Sequence, residues 1–144
     1  MQENLLIFNT MKTRIFVTIA MCVMMGLKVF AQTHTNADTI GKASPSDNIY
    51  VKSIAGDSLS SGFVIIIKKE VKLHKHLHHS EFVVVLEGEG KMKLGDKEFI
   101  IQKNDIVFIP KNTPHKVITT SKKPLKVISI QSPYFDGKDR VLLE

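Results

Sequence analysis

From Asn48 onward the chain is a succession of short apolar runs cut by turn-forming residues, a pattern that leaves little room for anything but β-structure. The runs are "NIYVKSI", "GFVIIIKK", "EFVVVLEG", "GKMKLG", "KEFIIQK", "DIVFIP", "HKVITT" and "LKVISIQ". Each is rich in Val, Ile, Phe or Thr, which suit a pleated surface. Between them lie "AGDSLSSG", "EGEG", "GDK", "KND", "PKNTP" and "TSKKP", whose Gly, Pro, Asn, Asp and Ser favour turns. No window in this region repeats its apolar residues with a helical period. Eight or so strands within roughly 85 residues predict a single all-β domain, a small antiparallel barrel or sandwich, over residues 48–144. No internal repeat and no second domain is visible.

The N-terminal third reads differently. "MKTRIFVTIAMCVMMGLKVFAQ" opens at Met11 with Lys12 and Arg14 and runs apolar from Ile15 to Leu27. It closes on Val29 and Ala31, small residues where a signal peptidase cuts. Residues 1–31 are therefore expected to be a secretory signal peptide, with 1–10 an overcalled start. The apolar stretch is shorter than the roughly 18–20 residues a bilayer requires, which disfavours a retained anchor. Met21 before Cys22 disfavours a lipoprotein. The expected location is periplasmic or secreted, with no stable membrane span after cleavage. Cys22 is the only cysteine, so the exported part would hold together without disulfides. Residues 32–47, "QTHTNADTIGKASPSD", are small and polar and read as a flexible linker.

The charge excludes little but does argue against nucleic acid. From Gln32 onward there are 17 basic and 13 acidic residues, a net charge of +4. The lysines are spread along strands and turns rather than gathered into a stripe with aromatics between them.

The chemistry concentrates in "HKHLHHSEFVVVLEGEG", residues 74–90, which holds four of the six histidines. On a strand His74 and His76 share a face, about 6.5 Å apart at their α-carbons, and two imidazoles so placed can converge on one ion. Lys75 faces the other way. Glu81 opens the next strand, expected to be the antiparallel neighbour, and can turn its carboxylate to the same interior. His115 begins a further strand after a Pro-bracketed turn. Three imidazoles and a carboxylate suit a divalent Fe, Mn, Zn, Ni or Cu ion; the competing account is a solvated or core hydrogen-bonded cluster. His78 and His79 are expected to be surface loop residues.

These residues also carry a resemblance. The pattern His-x-His-x4-Glu-x6-Gly is met at His74, His76, Glu81 and Gly88, and Pro110 and His115 match a second motif, so the chain resembles the cupin superfamily from about Ile49 to Pro133. The resemblance implies a jelly-roll β-barrel, a metal held by His74, His76, Glu81 and His115, and frequent homodimers. It departs at Lys68, Asn104, Asn112 and Thr119, where cupins have Gly, Gly, Gly and Asn. Asn tolerates the left-handed conformation better than other non-glycine residues, so the two turns at Asn104 and Asn112 are expected to survive. Two function classes follow: a metal-dependent dioxygenase or isomerase acting on a small molecule, with Glu81 as candidate base, or a module that binds metal or a small ligand without turnover. Val83, Val85 and Val117 are expected to line the barrel near the ion. Phe82, Val84 and Leu86 point outward, and should be covered by residues 49–54 or a second subunit. The tail from Ser132 is expected to pack across the barrel.

Overall fold

The computed structural model describes residues 33–41 and 46–144; the proposed leader, Cys22 and part of the proposed linker lie outside them. Ten strands follow in chain order: β1 (Ile49–Gly56), β2 (Ser61–Ile67), β3 (Glu70–Lys75), β4 (Ser80–Glu87), β5 (Glu89–Leu94), β6 (Lys97–Gln102), β7 (Ile106–Ile109), β8 (His115–Thr119), β9 (Leu125–Ser132) and β10 (Val141–Leu142). The eight expected apolar runs are strands. The two additions, β3 and β10, are short, and β3 is interrupted by charge ("EVKLHK"), which hides it from an apolar scan. No helix among the described residues is long and apolar enough to cross a membrane.

The strands form two antiparallel five-stranded sheets, ordered β1-β2-β9-β4-β7 and β10-β3-β8-β5-β6. Successive strands from β2 to β9 alternate between sheets singly or in pairs, the double Greek-key path of a jelly roll. The two sheets pack face to face rather than closing into one continuous barrel. One expectation needs correcting here. β4 is not the hydrogen-bonded neighbour of β3 but lies in the opposite sheet, so Glu81 meets the histidines across the sandwich. The four residues after His76 carry the chain over the edge instead of closing a hairpin.

The space between the sheets is filled by inward residues from both, among them Val85, Met92, Ile101, Val117, Leu125 and Val127. Leu125 is wholly enclosed, so cutting it to Ala would leave a cavity, a change that typically costs about 2–5 kcal/mol. No described residues cover the outer face of the first sheet at β4 and β7. Phe82 pairs with Phe108 and Ile130 across neighbouring strands, its ring 4.7 Å from that of Phe108, and all three remain exposed. β1 does not cover them, because it hydrogen-bonds edge-on to β2 at the far side of the sheet. Part of the stretch read as linker carries a 3-10 turn, Ala37–Thr39. The buried Lys126 ammonium donates to the carbonyls of Ala37 and Ile40 there.

Turn chemistry fixes the strand ends. Asn104 and Asn112 both adopt positive φ, 76° and 61°, so the asparagines do stand in for glycine. Gly88 has φ +81°, and a Cβ there would lie 2.5 Å from the Pro124 carbonyl oxygen. Both conformation and space exclude a side chain at that position. Thr119, where the family pattern has Asn, donates its hydroxyl to the Ile67 carbonyl at 2.9 Å and so ties β8 to the end of β2.

Candidate metal centre

His74 and His115 face each other directly across the β3–β8 ladder, and directly paired residues share a face of the sheet. His76 follows β3 by one residue. Their side-chain ligand atoms all lie within 4.8 Å of one another, and all three residues are buried. Each ring is oriented by a hydrogen bond from Nδ1 to a backbone carbonyl: His74 to Lys72 at 2.8 Å, His115 to Thr113 at 2.9 Å, and His76 to Asp139. A carbonyl can only accept, so Nδ1 carries the proton and, in the neutral ring, Nε2 presents its lone pair. The Nε2 atoms of His76 and His115 are buried with no hydrogen-bond partner. Buried polar atoms are rarely left so, and a cation is the partner that three converging lone pairs accept.

Glu81 approaches two of the three rings from the opposite sheet, outside the group whose ligand atoms all lie within 4.8 Å of one another. Its Oε2 lies 3.6 Å from His76 Nε2 and 3.7 Å from His115 Nε2, too far for a hydrogen bond. Donors about 2.1 Å from a shared ion sit about 3.0–3.4 Å apart, so a small contraction would bring these atoms to ligand spacing. The other oxygen, Oε1, accepts from the buried Ser129 hydroxyl at 2.5 Å. The three imidazoles, with Glu81 beside them, therefore fit a divalent transition metal, and the carbonyl and hydroxyl partners of these groups hold the donors in place.

The electrostatics prepare most of these groups. Burial, together with the charges of His115 and Arg140, pushes His74 down to about 3. Burial also lowers His115. His76 goes the other way: burial opposes its charged form, but the Glu81 carboxylate 3.6 Å away and the hydrogen bond to the Asp139 carbonyl outweigh it and the pKa is raised. Glu81 is likewise resisted by burial yet held below the usual carboxylate range by His76 and Ser129. In the metal-free protein the His76–Glu81 pair thus favours its charged forms, while burial disfavours charge on His74 and His115.

A cavity of about 160 Å³ opens beside these groups. Val83 and Val117 line it as expected, whereas Val85 lies in the core away from it. Several of its polar features do not show in the apolar pattern. Gln131, directly opposite Glu81 in register, is buried and reaches the cavity. Arg140 lines it from the tail. His79 is a correction: it is buried, not a surface loop residue. Its Nδ1 lies 2.5 Å from the Asp139 carboxylate and its Nε2 is 2.9 Å from the Tyr134 carbonyl. The same carboxylate accepts from the Leu77 and His78 amides. His78 is exposed. The tail does pack back as expected, with Phe135 edge-on to His76 and His79 at 5.3 and 5.1 Å.

With this geometry in place, the comparisons with known proteins give one answer. The family model described as "Cupin domain" matches residues 63–131, a span that runs from β2 to β9 and includes all four convergent residues. Residues 63–131 are a cupin domain. An uncharacterized protein of Methanocaldococcus jannaschii is 33% identical over 81 residues, covering 56% of this chain and 65% of its own. A mannose-1-phosphate guanylyltransferase of Salmonella typhimurium is 34% identical over 67 residues, 46% of this chain but only 14% of the enzyme. The chain thus spans less than two thirds of either curated relative. A double-stranded β-helix protein of Klebsiella pneumoniae superposes with a TM-score of 0.67 at 18% identity, covering 79% of this chain and 99% of that one, and that likeness concerns the cupin fold alone.

Proposed function

We propose that this cupin domain binds a divalent transition metal through His74, His76, His115 and Glu81 and uses it for dioxygenase- or isomerase-type chemistry on a small molecule in the adjoining cavity. One observation carries the reading: the Nε2 atoms of His76 and His115 are buried, without partners, and aimed at the same point as His74. Bound there, the ion would act as a Lewis acid toward an oxygen-bearing substrate. Three imidazoles and one carboxylate leave about two positions of an octahedral ion for other ligands. The protein's own contributions are distinct from that. The Nδ1–carbonyl bonds hold the rings in one tautomer, the apolar walls exclude water, and Glu81 Oε2 is the group placed to take a proton. Cofactor identity within the Fe, Mn, Zn, Ni and Cu set follows local supply as much as ligand type.

The leader pattern at 11–31 adds that the protein works outside the cytoplasm, in the periplasm or beyond the cell. Cell fractionation of the natural host would place it; a wholly cytoplasmic protein retaining its leader would remove that part of the reading. For the chemistry, oxygen uptake is measured with iron-loaded and metal-free protein on phenolic and diketone substrates. We expect uptake only with the loaded protein. Tight metal binding with no turnover on any substrate, whatever the metal, leaves the non-catalytic module as the reading.

A further inference from the structure

Arg140 is the one fixed cation among the described residues that line the cavity, and neither sheet formation nor packing accounts for it. β10 pairs with β3 so that Leu142 stands opposite His74 and Val141 opposite Lys75. Continued by one residue, that register sets Arg140 across from His76, on the inward face. The contact from His76 Nδ1 to the neighbouring Asp139 carbonyl holds it there. No hydrogen bond or ion pair ties the guanidinium to any described residue, although its charge is felt by Glu81, His74 and His115. It is also solvent-exposed, which puts it at the mouth rather than at the floor.

A second, independent group points the same way. Gln131 is 5% exposed, lines the cavity and has a side-chain oxygen with no hydrogen-bond partner. Leaving a buried acceptor without a donor is unfavourable, so this oxygen calls for a donor group on whatever fills the space. The remaining walls are hydrocarbon, with Phe63, Ile65, Met92 and Val127 among them.

We propose that the cavity takes a small hydroxy-carboxylate: the carboxylate on the Arg140 guanidinium, the hydroxyl donating to Gln131 Oε1, and an aliphatic body against the apolar walls. This rests on the metal-centre reading for the role of the cavity, and it names the substrate class. Charge supports it. Three neutral imidazoles, one carboxylate and a divalent ion sum to +1, and Arg140 raises that to +2 in a space with apolar walls, a field that favours an anion. Arginine is suited to the task because its planar fork binds both carboxylate oxygens at once.

The test is calorimetric binding of 2-hydroxy-4-methylpentanoate to the full chain, metal-free and zinc-loaded, with zinc affinity measured separately. The acid should bind at least tenfold more tightly than its methyl ester. Arg140→Met should lose at least tenfold in affinity for the acid while zinc affinity and melting temperature hold, and Arg140→Lys should fall between. Gln131→Leu should weaken the acid but leave 4-methylpentanoate, which lacks the hydroxyl, unchanged. Equal binding of acid and ester, or an Arg140→Met variant as tight as the wild type, overturns the proposal and leaves the metal centre standing. If zinc does not bind, the metal centre falls, and the metal-free arm still decides: acid binding that depends on Arg140 supports the hydroxy-carboxylate site, and its absence overturns it.

Discussion

His76 is the residue on which the chemistry of the pocket turns, because it alone of the three imidazoles is pulled toward its charged form. His74, pushed down to about 3, and His115, also lowered, are neutral and ready as ligands at any pH near 7. Metal therefore competes with a proton at His76. Its raised pKa moves the decisive range above the ordinary 6.5, not to the region near pH 6 that an unperturbed imidazole would suggest. Affinity should climb as pH rises through that range, with up to one proton released per ion bound. Zinc titrations by calorimetry in two buffers of different ionisation enthalpy measure that release directly. Proton release of zero at pH 6.5, with affinity flat between pH 6 and 8, would contradict the assignment. The fold of the metal-free protein also loses stability on acidification through the two other rings, whose pKa values are lowered. Between about pH 3 and 6.5 the unfolded chain protonates His74 and the folded one does not, so acidification in that window removes stability. The grouping of His74 with His76 was legible in the sequence because His-x-His on a strand fixes a face. His79 was not, since nothing local distinguishes a loop histidine that meets a carboxylate sixty residues away.

At the scale of elements, the C-terminal strap does what the histidine strands cannot do for themselves. Asp139 gathers the turn after β3 by accepting from the Leu77 and His78 amides at 2.9 and 2.8 Å and by contacting His79, and its own carbonyl fixes the His76 ring. His79 and the two amides hold the Asp139 carboxyl well below its usual range, against the opposing effect of burial. Asp139→Asn keeps the shape but sets an NH2 group against donors. We expect a lower melting temperature and a loss of about 10- to 100-fold in metal affinity, the usual scale for second-shell changes at metal sites. Titration with zinc, beside a thermal melt of the metal-free protein, separates the two effects. An unchanged zinc affinity would show that β3 and β8 orient His76 unaided. None of this was readable from "SPYFDGKDRVLLE", which has no period to follow. β9 misleads in a different way. "VISIQ" alternates, but its isoleucines at 128 and 130 face outward while Ser129 and Gln131 face in. Register with Glu81 decides this: Gln131 is its direct partner and Ser129 bonds its carboxylate. An apolar scan would choose the wrong face.

At the scale of the molecule, the candidate metal centre draws on both sheets. His74 and His115 lie in one sheet's β3 and β8, and Glu81 comes from β4 in the other, so an ion held by all of them is a cross-link through the sandwich, in a chain whose only cysteine lies in the proposed leader. Most of the strands, by contrast, follow from turn chemistry and apolar runs, which is why an all-β barrel or sandwich was legible, with the jelly roll coming from the family resemblance, while the placement of β4 opposite β3 was not. Only the four residues between His76 and Glu81 separate a hairpin from a crossing, and their sequence does not choose. The cross-link has a measurable consequence. A ligand that binds the folded state alone stabilises it by about 2.7 kcal/mol at a hundred times its dissociation constant, which for a domain of this size raises the melting temperature by on the order of 10 °C. Zinc should produce such a rise in the wild type and none in His115→Ala. In Glu81→Gln the rise should shrink, since the histidine trio lies beside β3 and β8 of one sheet and the link across the sandwich is weakened. Metal-free His115→Ala should melt close to the metal-free wild type, because Val117 and the apolar residues around it keep β8 in place. An equal zinc-induced rise in all three proteins would show that the ion binds elsewhere, and the convergence of the four side chains would then have no part in holding the sheets together.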